Sequence, residues 1–188
     1  MQAACEEQPG GMVSVMGLPA AELEKICGAV GVAMANLNSP EQTVLSGAKD
    51  RIAEADRLAQ AAGAKRTVVL NVAGAFHSPL MSSAARQLEA FLAPIEFRTP
   101  SVPVVANVTG MPHDPAQIKA TMVRQVTSSV QWVRSVQWFQ GAGMGTYVEC
   151  GPGKVLGGLI KRIDKAAVAY AIQDETSLKA AVAAIRGN

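Results

Sequence analysis

His77 is the side chain whose type and position best suit acid–base chemistry. It lies in Gly74-Ala-Phe-His-Ser-Pro-Leu-Met81, a loop punctuated by glycine and proline that leads into a predicted helix. Open α/β sheets place their sites at the carboxyl ends of strands, where a loop histidine can act as a general base. A structural histidine that bonds to loop carbonyls fits the same residues equally well. The residues alone leave both interpretations open.

A histidine base acts on a nucleophile, which in many α/β enzymes is a serine on a strand-turn-helix elbow with the pattern Gly-x-Ser-x-Gly. No serine among the 188 residues has glycine both two places before it and two places after it. Cys150 is the one thiol at a predicted junction of strand and turn, so a Cys150–His77 thiol enzyme is an alternative. Because Cys150 continues an apolar strand, we expect its thiol to be buried and inert.

The segment Gly151-Pro-Gly-Lys-Val-Leu-Gly-Gly158 has the composition of a phosphate-binding loop but not its spacing. The P-loop pattern has four residues between its first glycine and the Gly-Lys pair, and serine or threonine follows that pair. Here the interval is shorter, and Val155 stands in the hydroxyl position. The segment therefore predicts a tight turn that lets a strand and a helix pack closely.

The first 70 residues predict strands and helices in the order β-α-β-β-α-β, which is the split βαβ, ferredoxin-like arrangement. The predicted strands are 12–16, 32–37, 43–46 and 67–70, and the predicted helices are 20–26 and 50–62. Domains of this kind can bind RNA by stacking bases on aromatic side chains of their strands. The first 75 residues contain no aromatic residue, which excludes that mode of binding.

After residue 75, apolar strands alternate with helices, which indicates a parallel sheet covered on both faces. The predicted strands are 102–108, 146–149 and 168–172, and the predicted helices are 82–91, 115–127, 130–140, 155–163 and 177–185. All eight aromatic residues lie in this part of the chain. This change in composition predicts a domain boundary near residues 70–75.

The composition favours a folded domain, since 49% of the 188 residues are hydrophobic and 17% are charged. The net charge of +2 is too small for a dedicated binder of nucleic acid. No apolar stretch is long enough for a membrane span, and the first residues lack the pattern of a secretory signal. Three scattered cysteines and two histidines argue against a disulfide framework and a zinc site. We expect a cytoplasmic protein.

Five segments, in chain order, resemble the malonyl-CoA:acyl-carrier-protein transacylase family, which includes the acyltransferase domains of fatty-acid and polyketide synthases. They are Ala35-Asn-Leu-Asn-Ser-Pro-Glu-Gln42, Gly74-Ala-Phe-His-Ser-Pro-Leu-Met81, Ala106-Asn-Val-Thr-Gly110, Val130-Gln-Trp132 and Glu149-Cys-Gly-Pro-Gly-Lys-Val-Leu156. The resemblance implies an α/β fold in which an α/β-hydrolase-like large subdomain carries an inserted ferredoxin-like small subdomain. Residues 1–9 would end a helix of the large subdomain, 10–70 would form the small subdomain, and 71–188 the C-terminal half of the large subdomain.

The resemblance also implies a two-step acyl transfer. A serine takes malonyl from coenzyme A as an ester, and the phosphopantetheine thiol of an acyl carrier protein then receives it. His77 would be the catalytic base, and the backbone carbonyl of Gln125 would orient it by accepting the Nδ1–H bond, as a carboxylate does in a Ser-His-Asp triad. Met1 and Phe76 would line the substrate pocket, and Asn107 would lie near the site.

The Phe76 ring could exclude a methyl branch on the acyl α-carbon, although a core aromatic at a domain seam fits that residue equally well. Malonyl-CoA is by this resemblance a substrate, with no permanently bound cofactor and no metal. The implied partners are acyl carrier protein and coenzyme A thioesters, and not nucleic acid or a membrane.

Three features of the family have no counterpart in the 188 residues. These are the Gly-Gln-Gly loop that supplies an oxyanion donor, the Gly-His-Ser-x-Gly elbow, and the arginine that binds the malonyl carboxylate. We therefore expect the C-terminal portion of a transacylase of fatty-acid biosynthesis, inactive by itself and prone to associate or unfold. The equivalent part of a polyketide synthase acyltransferase domain is an alternative. Another is a non-catalytic module that docks an acidic carrier protein through Lys65-Arg66 and Lys161-Arg162.

Overall fold

The computed structural model describes residues 1–187 and is a mixed α/β protein, which confirms the predicted class. These residues divide into two compact units, Met1–Ser135 and the part from Val136 onward. The boundary predicted near residues 70–75 falls inside the first of these units. The division into 1–9, 10–70 and 71–188 stays a prediction.

The first unit is built around a four-stranded antiparallel sheet. Its helices are α1 (Gln2–Glu7), α2 (Ala20–Val30), α3 (Lys49–Ala61), α4 (Ser82–Leu92) and α5 (Ile118–Arg124), and α6 (Trp132–Gly141) begins in it. Its strands are β1 (Gly10–Met16), β2 (Ala33–Ser39), β3 (Gln42–Ala48), β4 (Arg66–Val69), β5 (Val105–Ala106) and β6 (Met111–Pro112). The sheet has the order β2-β3-β1-β4.

The two faces of this sheet bury different side chains, because neighbouring residues of a strand point to opposite sides. The core beneath α2 and α3 includes Val13, Val15, Leu23, Ile26, Leu45, Ile52 and Ala55. A smaller cluster on the other face consists of Met12, Ala35 and Val44. Phe76 packs against this smaller cluster. The sheet therefore supports the loop that carries His77.

A third cluster of buried side chains is formed by α1, by α4 with the short turn before it, and by Val126, which lies two residues after the end of α5. Its members are Ala4, Cys5, Met81, Ala84, Ala85 and Val126. Phe76 packs against this cluster as well, so its ring joins two parts of the core. Gly74 lies so close to α1 that an added Cβ would be 2.4 Å from the Sγ atom of Cys5. The His77 loop is thus wedged between α1 and the sheet.

The predicted buried strand over residues 102–108 is wrong. Within it, only β5 has strand structure, and β5 pairs with β6 in a short antiparallel hairpin. Val102 is 65% exposed and Val104 is 48% exposed. Pro103 stands between them, and proline has no N–H group to donate to a neighbouring strand. The valine-rich sequence therefore lacks the ladder of hydrogen bonds that a strand needs.

The second unit contains a parallel pair of strands. Its elements are β7 (Thr146–Cys150), α7 (Val155–Ile163), β8 (Val168–Ile172) and α8 (Glu175–Arg186), with β7 paired to β8. The side chains of Thr146, Val148 and Cys150 share one face of β7 and are exposed, whereas α7 covers the face that carries Glu149. For the described residues, the predicted covering of both faces is therefore wrong, and so is the predicted burial of the Cys150 thiol.

Candidate active site

The loop that carries His77 is anchored to β1. The N–H of Leu70, just before the loop, donates to the carbonyl of Met12 at 2.9 Å. An added Cβ at Gly10 would lie 2.6 Å from the Cβ of Ala75 and 2.9 Å from its backbone nitrogen. Close approach of the two backbones thus requires glycine at position 10.

His77 has a left-handed backbone with φ of 59°, and it is the one non-glycine residue with positive φ among residues 1–187. This conformation costs an L-residue about 1–2 kcal/mol. Strained backbone of this kind clusters at functional sites, where the surrounding contacts impose it. The contacts of the loop with α1 and β1 provide such a constraint, and the ring of His77 is half-buried.

The ring of His77 contacts the backbone of Gln125, 48 residues further along the chain. The Nδ1 atom of His77 lies 2.9 Å from the carbonyl oxygen of Gln125. Because a carbonyl oxygen only accepts, we assign the ring proton to Nδ1. The Nε2 atom then has a free lone pair, which is the arrangement that a histidine base requires.

The carbonyl of Gln125 is available because Gln125 follows the last residue of α5. The last four carbonyl groups of a helix have no partner within the helix and must find one elsewhere. The end of α5 thus supplies an acceptor to the ring of His77.

Asn107 fixes the side chain of the same glutamine. Its side-chain Nδ2 group donates to Oε1 of Gln125 at 3.3 Å, and its backbone carbonyl accepts the N–H of Gln131 at 2.7 Å. Asn107 follows β5 directly. The residue that follows β5 therefore bonds both to the Gln125 side chain and to the backbone of the segment after α5.

The segment after Gln125 is also fixed to the edge of the sheet. The N–H of Val130 donates to the carbonyl of Ala35 at 2.8 Å, and the N–H of Leu37 donates to the carbonyl of Val130 at 2.9 Å. The Ser129 hydroxyl donates to the carbonyl of Met34. Strand β2 therefore holds this segment, while β1 holds the His77 loop. One sheet fixes both partners of the 2.9 Å contact.

The His77 ring borders a cleft of about 570 Å³. Small-molecule sites typically have volumes of about 300–1,000 Å³. The cleft is lined by Met1, Gln2, Cys5, Met12, Asn36, Asn38, Val44, Leu70, Phe76 and His77. Three of the residues expected at the site, Met1, Phe76 and His77, thus share one cleft, whereas Gln125 and Asn107 do not line it.

Asn36 and Asn38 also line the cleft, although neither was among the residues expected at the site. Their spacing of two residues in and beside a predicted strand places both amides on one face of that strand. That spacing was the available signal. Gln2 and Cys5 also line the cleft, and nothing in the local pattern around them indicates it.

Glu149 occupies the N-terminus of α7 in the second unit. Its carboxylate accepts the N–H of Gly157 at 2.8 Å and that of Leu156 at 3.0 Å. The bond from Gly157, and then that from Leu156, lower the pKa of Glu149 below its ordinary value. Gly151 and Gly153 adopt positive φ values of 134° and 97° in the intervening turn. The Glu149 carboxylate thus occupies the N–H groups at the start of α7 that a phosphate would need. This favours a tight turn over a phosphate-binding loop.

The remaining candidate groups lie on exposed surface. The Cys150 thiol is exposed in the second unit. Both basic pairs, Lys65-Arg66 and Lys161-Arg162, are exposed as well. Within residues 1–187, no group of His, Cys, Asp and Glu side chains could hold a metal ion. In the same range, no helix has the length and apolar character needed to cross a membrane.

The family model described as acyl transferase domain matches residues 1–177. The chain belongs to the acyl transferase domain family. This acyl transferase domain is 42% identical over 187 residues to the malonyl CoA-acyl carrier protein transacylase of Salmonella typhimurium, and the match covers 97% of the chain and 60% of that protein.

Solved structures with the same fold include that of a malonyl-CoA:acyl carrier protein transacylase from Xanthomonas oryzae, with a TM-score of 0.92, 38% identity and coverage of 97% of the acyl transferase domain and 60% of that chain. Another is a malonyl-transacylase in complex with a type II polyketide synthase acyl carrier protein. It has a TM-score of 0.90 and 35% identity, and the match covers 99% of the acyl transferase domain and 62% of that chain. The acyl transferase domain thus spans about 60% of the length of these relatives.

Proposed function

We propose that the acyl transferase domain takes part in the transfer of a malonyl group from coenzyme A to the phosphopantetheine thiol of an acyl carrier protein, as in fatty-acid biosynthesis. The observation that carries this proposal is the 2.9 Å contact between Nδ1 of His77 and the Gln125 carbonyl, with the ring at the border of the cleft. The relatives named as malonyl-CoA transacylases support the substrate, and the complex with an acyl carrier protein supports the acceptor.

In the first step, Nε2 of His77 accepts the proton of a serine hydroxyl while that oxygen attacks the thioester carbonyl of malonyl-CoA. A serine ester forms, the carbon–sulfur bond breaks, and the departing coenzyme A thiolate takes the proton from Nε2. The Gln125 carbonyl accepts Nδ1–H throughout and stabilises the imidazolium that exists between these proton transfers.

In the second step, Nε2 takes the proton of the phosphopantetheine thiol, and the thiolate attacks the serine ester. The carbon–oxygen bond breaks, and the serine oxygen recovers the proton from Nε2. The same ring thus serves both halves of a ping-pong reaction. The serine belongs to the Gly-x-Ser-x-Gly elbow of the family, and we expect that elbow to come from outside the 188 residues.

Phe76 would restrict the acyl group. Its ring lines the cleft next to His77 and packs against two clusters of buried side chains, so it has little freedom to move aside. A rigid ring beside the acyl α-carbon leaves little room for a methyl branch, and this favours malonyl over methylmalonyl. Met1 would line the same pocket, and Asn107 would act through Gln125.

The proposed organisation follows the family. Residues 10–70 would be a ferredoxin-like small subdomain, and the flanking segments 1–9 and 71–188 would belong to a large α/β-hydrolase-like subdomain. The strand order β2-β3-β1-β4 with helices α2 and α3 supports the first part of this proposal. The parallel pair β7–β8 with its helices supports the second.

The test measures transfer of radiolabelled malonyl from malonyl-CoA to a holo acyl carrier protein. The 188-residue chain is compared with a fusion that adds the part of the Salmonella typhimurium relative outside the match, in which we expect the elbow serine. We expect turnover from the fusion, and none from the 188-residue chain above the level of its own His77→Ala variant. In the fusion, His77→Ala should reduce turnover by about 10²- to 10⁴-fold, the usual contribution of a general base.

His113→Ala is the matched control, because His113 is the other histidine and lines a separate cavity beside the β5–β6 hairpin. We expect it to leave turnover of the fusion unchanged. A folded fusion without malonyl transfer would contradict the proposed function. Turnover by the 188-residue chain above that of its His77→Ala variant would instead contradict the expected external serine.

A further inference from the structure

Ser78 follows His77 directly and is 1% exposed. Its hydroxyl donates to the carbonyl of Ala75 at 2.7 Å and accepts the N–H of Leu80 at 3.3 Å. The first bond runs backwards over Phe76 and His77, and the second runs forwards into the 3-10 turn Pro79–Met81. A single oxygen atom thus connects the two sides of His77.

Both ends of the backward bond are buried. Ala75 is fully buried, and its backbone lies against Gly10 of β1. Ser78 is buried at the start of the 3-10 turn, whose last residue, Met81, is fully buried as well. Between these points, Phe76 and His77 must close a short loop. His77 does so with its left-handed φ of 59°.

The forward bond alone would be an ordinary cap of a helical turn, in which the side chain only accepts. Asp114 has that role at the other 3-10 turn, where it accepts the N–H of Ala116 at 3.0 Å. Ser78 differs because its hydroxyl also donates a hydrogen bond backwards along the chain, to the carbonyl of Ala75. A cap does not require that bond, whereas a fixed left-handed residue between two anchors benefits from it.

We infer that Ser78 is a positioning residue for His77. Its hydroxyl closes the loop Ala75–Ser78 and thereby holds the His77 backbone in the conformation that aims Nδ1 at the Gln125 carbonyl and leaves Nε2 to the cleft. Without this bond, His77 relaxes toward the right-handed conformations that L-residues prefer. The ring then loses its fixed acceptor. The inference rests on the proposed function only for the statement that Nε2 is the base.

The test observes the ring directly in the 188-residue chain and needs no turnover. The chain contains two histidines, so labelling of histidine with ¹⁵N gives two rings, which a His113→Gln variant assigns. At pH 8, we expect His77 of the unsubstituted chain to be in the Nδ1–H form. In Ser78→Ala we expect loss of the single form and a mixture of Nδ1–H and Nε2–H. Circular dichroism at the same temperature reports whether each chain is folded.

Ser82→Ala is the matched control. The Ser82 hydroxyl makes the same type of bond, to the carbonyl three residues before it, which is Pro79, at 2.5 Å. That bond lies outside the His77 loop, so its loss should leave the His77 tautomer unchanged. Ser78→Thr keeps the hydroxyl and should restore the Nδ1–H form. Its β-branched side chain suits the extended backbone of residue 78.

In the fusion described above, Ser78→Ala should lower kcat by about 10- to 100-fold, the usual effect of a misplaced catalytic group. KM for malonyl-CoA should stay the same, since Ser78 does not line the cleft. A folded Ser78→Ala chain that keeps the Nδ1–H form would overturn the inference, as would an equal change in Ser82→Ala. If Ser78→Ala does not fold, Ser78→Cys, with nearly the same volume and a weaker donor, is subject to the same criteria. If Ser78→Ala changes the His77 tautomer in the 188-residue chain but the unsubstituted fusion is inactive, only the proposed function is refuted.

Discussion

Gly10 opens strand β1, and the backbone of the His77 loop lies directly over its α-carbon. We expect Gly10→Ala to push this loop away from the sheet. The added Cβ would lie 2.6 Å from the Cβ of Ala75, 2.9 Å from its backbone nitrogen and 2.8 Å from the carbonyl oxygen of Gly47. Two of these three atoms belong to the backbone, so rotation of a side chain cannot relieve the overlap.

The size of the effect follows from these distances. Carbon atoms in contact prefer a separation of about 3.5–4.0 Å, so Ala75 must move by about 1 Å. Overpacking of this kind lowers the free energy of unfolding by about 1–3 kcal/mol. His77 is two residues from Ala75, and its Nδ1 atom is 2.9 Å from the Gln125 carbonyl. A displacement of 1 Å away from Gln125 would separate the two atoms by about 3.9 Å, which is too far for a hydrogen bond.

Gly11→Ala provides the comparison, because an added Cβ at position 11 would have a single neighbour within 4 Å among residues 1–187, Cγ2 of Ile52 at 4.0 Å. The two variants change the same residue type at adjacent positions of one strand. Gly11→Ala should leave stability unchanged or raise it by about 0.4–1 kcal/mol through the lower entropy of the unfolded chain. Unfolding in urea measures the stability of both variants, and ¹⁵N spectra of histidine report the tautomer of the His77 ring. Equal stability of the two variants would refute the packing argument.

Three further predictions concern other groups. Because the pKa of Glu149 is lower in the folded chain than in the unfolded one, its contribution to stability is present above the unfolded pKa and is lost as the pH falls through the folded pKa. Thermal unfolding should therefore show Glu149→Gln to be destabilised at pH 7, by an amount that shrinks on acidification. Burial raises the pKa of the Cys27 thiol to about 11, so mass spectrometry after brief treatment with iodoacetamide at pH 8 should find Cys150 alkylated and Cys27 intact. Gln125→Ala keeps the backbone carbonyl, so it should change turnover of the fusion by only about threefold and leave the His77 tautomer as it is.

Each of these predictions has its own contradicting result. A stability difference for Glu149→Gln that is the same at pH 7 and in acid would mean that the bonds to the α7 N-terminus do not lower the carboxyl pKa. Alkylation of Cys27 as fast as Cys150 would mean that the first is not buried in solution. Loss of turnover in Gln125→Ala as large as in His77→Ala would assign the role to the side chain and not to the carbonyl.

The sequence pattern predicted the local elements well where each is decided by its own periodicity. The bounds of α7 and β8 agree with the predicted 155–163 and 168–172, and β7 differs from the predicted 146–149 by one residue. The pattern failed at 102–108, since a strand also needs a partner and a series of N–H donors. Valine-rich composition does not provide either one.

The residues of the candidate site also divide into those that the local sequence identifies and those that depend on the tertiary structure. The local sequence identified His77, because a histidine between glycine and proline in a loop is visible without any tertiary information. The residues gave no physical reason to connect it with Gln125, and that connection came only from the resemblance to a family. Asn36 and Asn38 were within reach of a period-two argument, but their relation to His77 depends on which face of the sheet the loop covers.

By itself, the amino-acid sequence determined the order of most strands and helices, the position of the histidine loop and the absence of aromatic residues before Phe76. These properties depend on intervals of a few residues, over which hydrophobic periodicity and turn chemistry act directly. The tertiary structure alone decided that a carbonyl 48 residues away lies 2.9 Å from Nδ1 of His77, and that His77 adopts a left-handed backbone. A contact between distant residues exists only when both segments are packed on a common support, which here is the sheet formed by β1 and β2 with β3 between them.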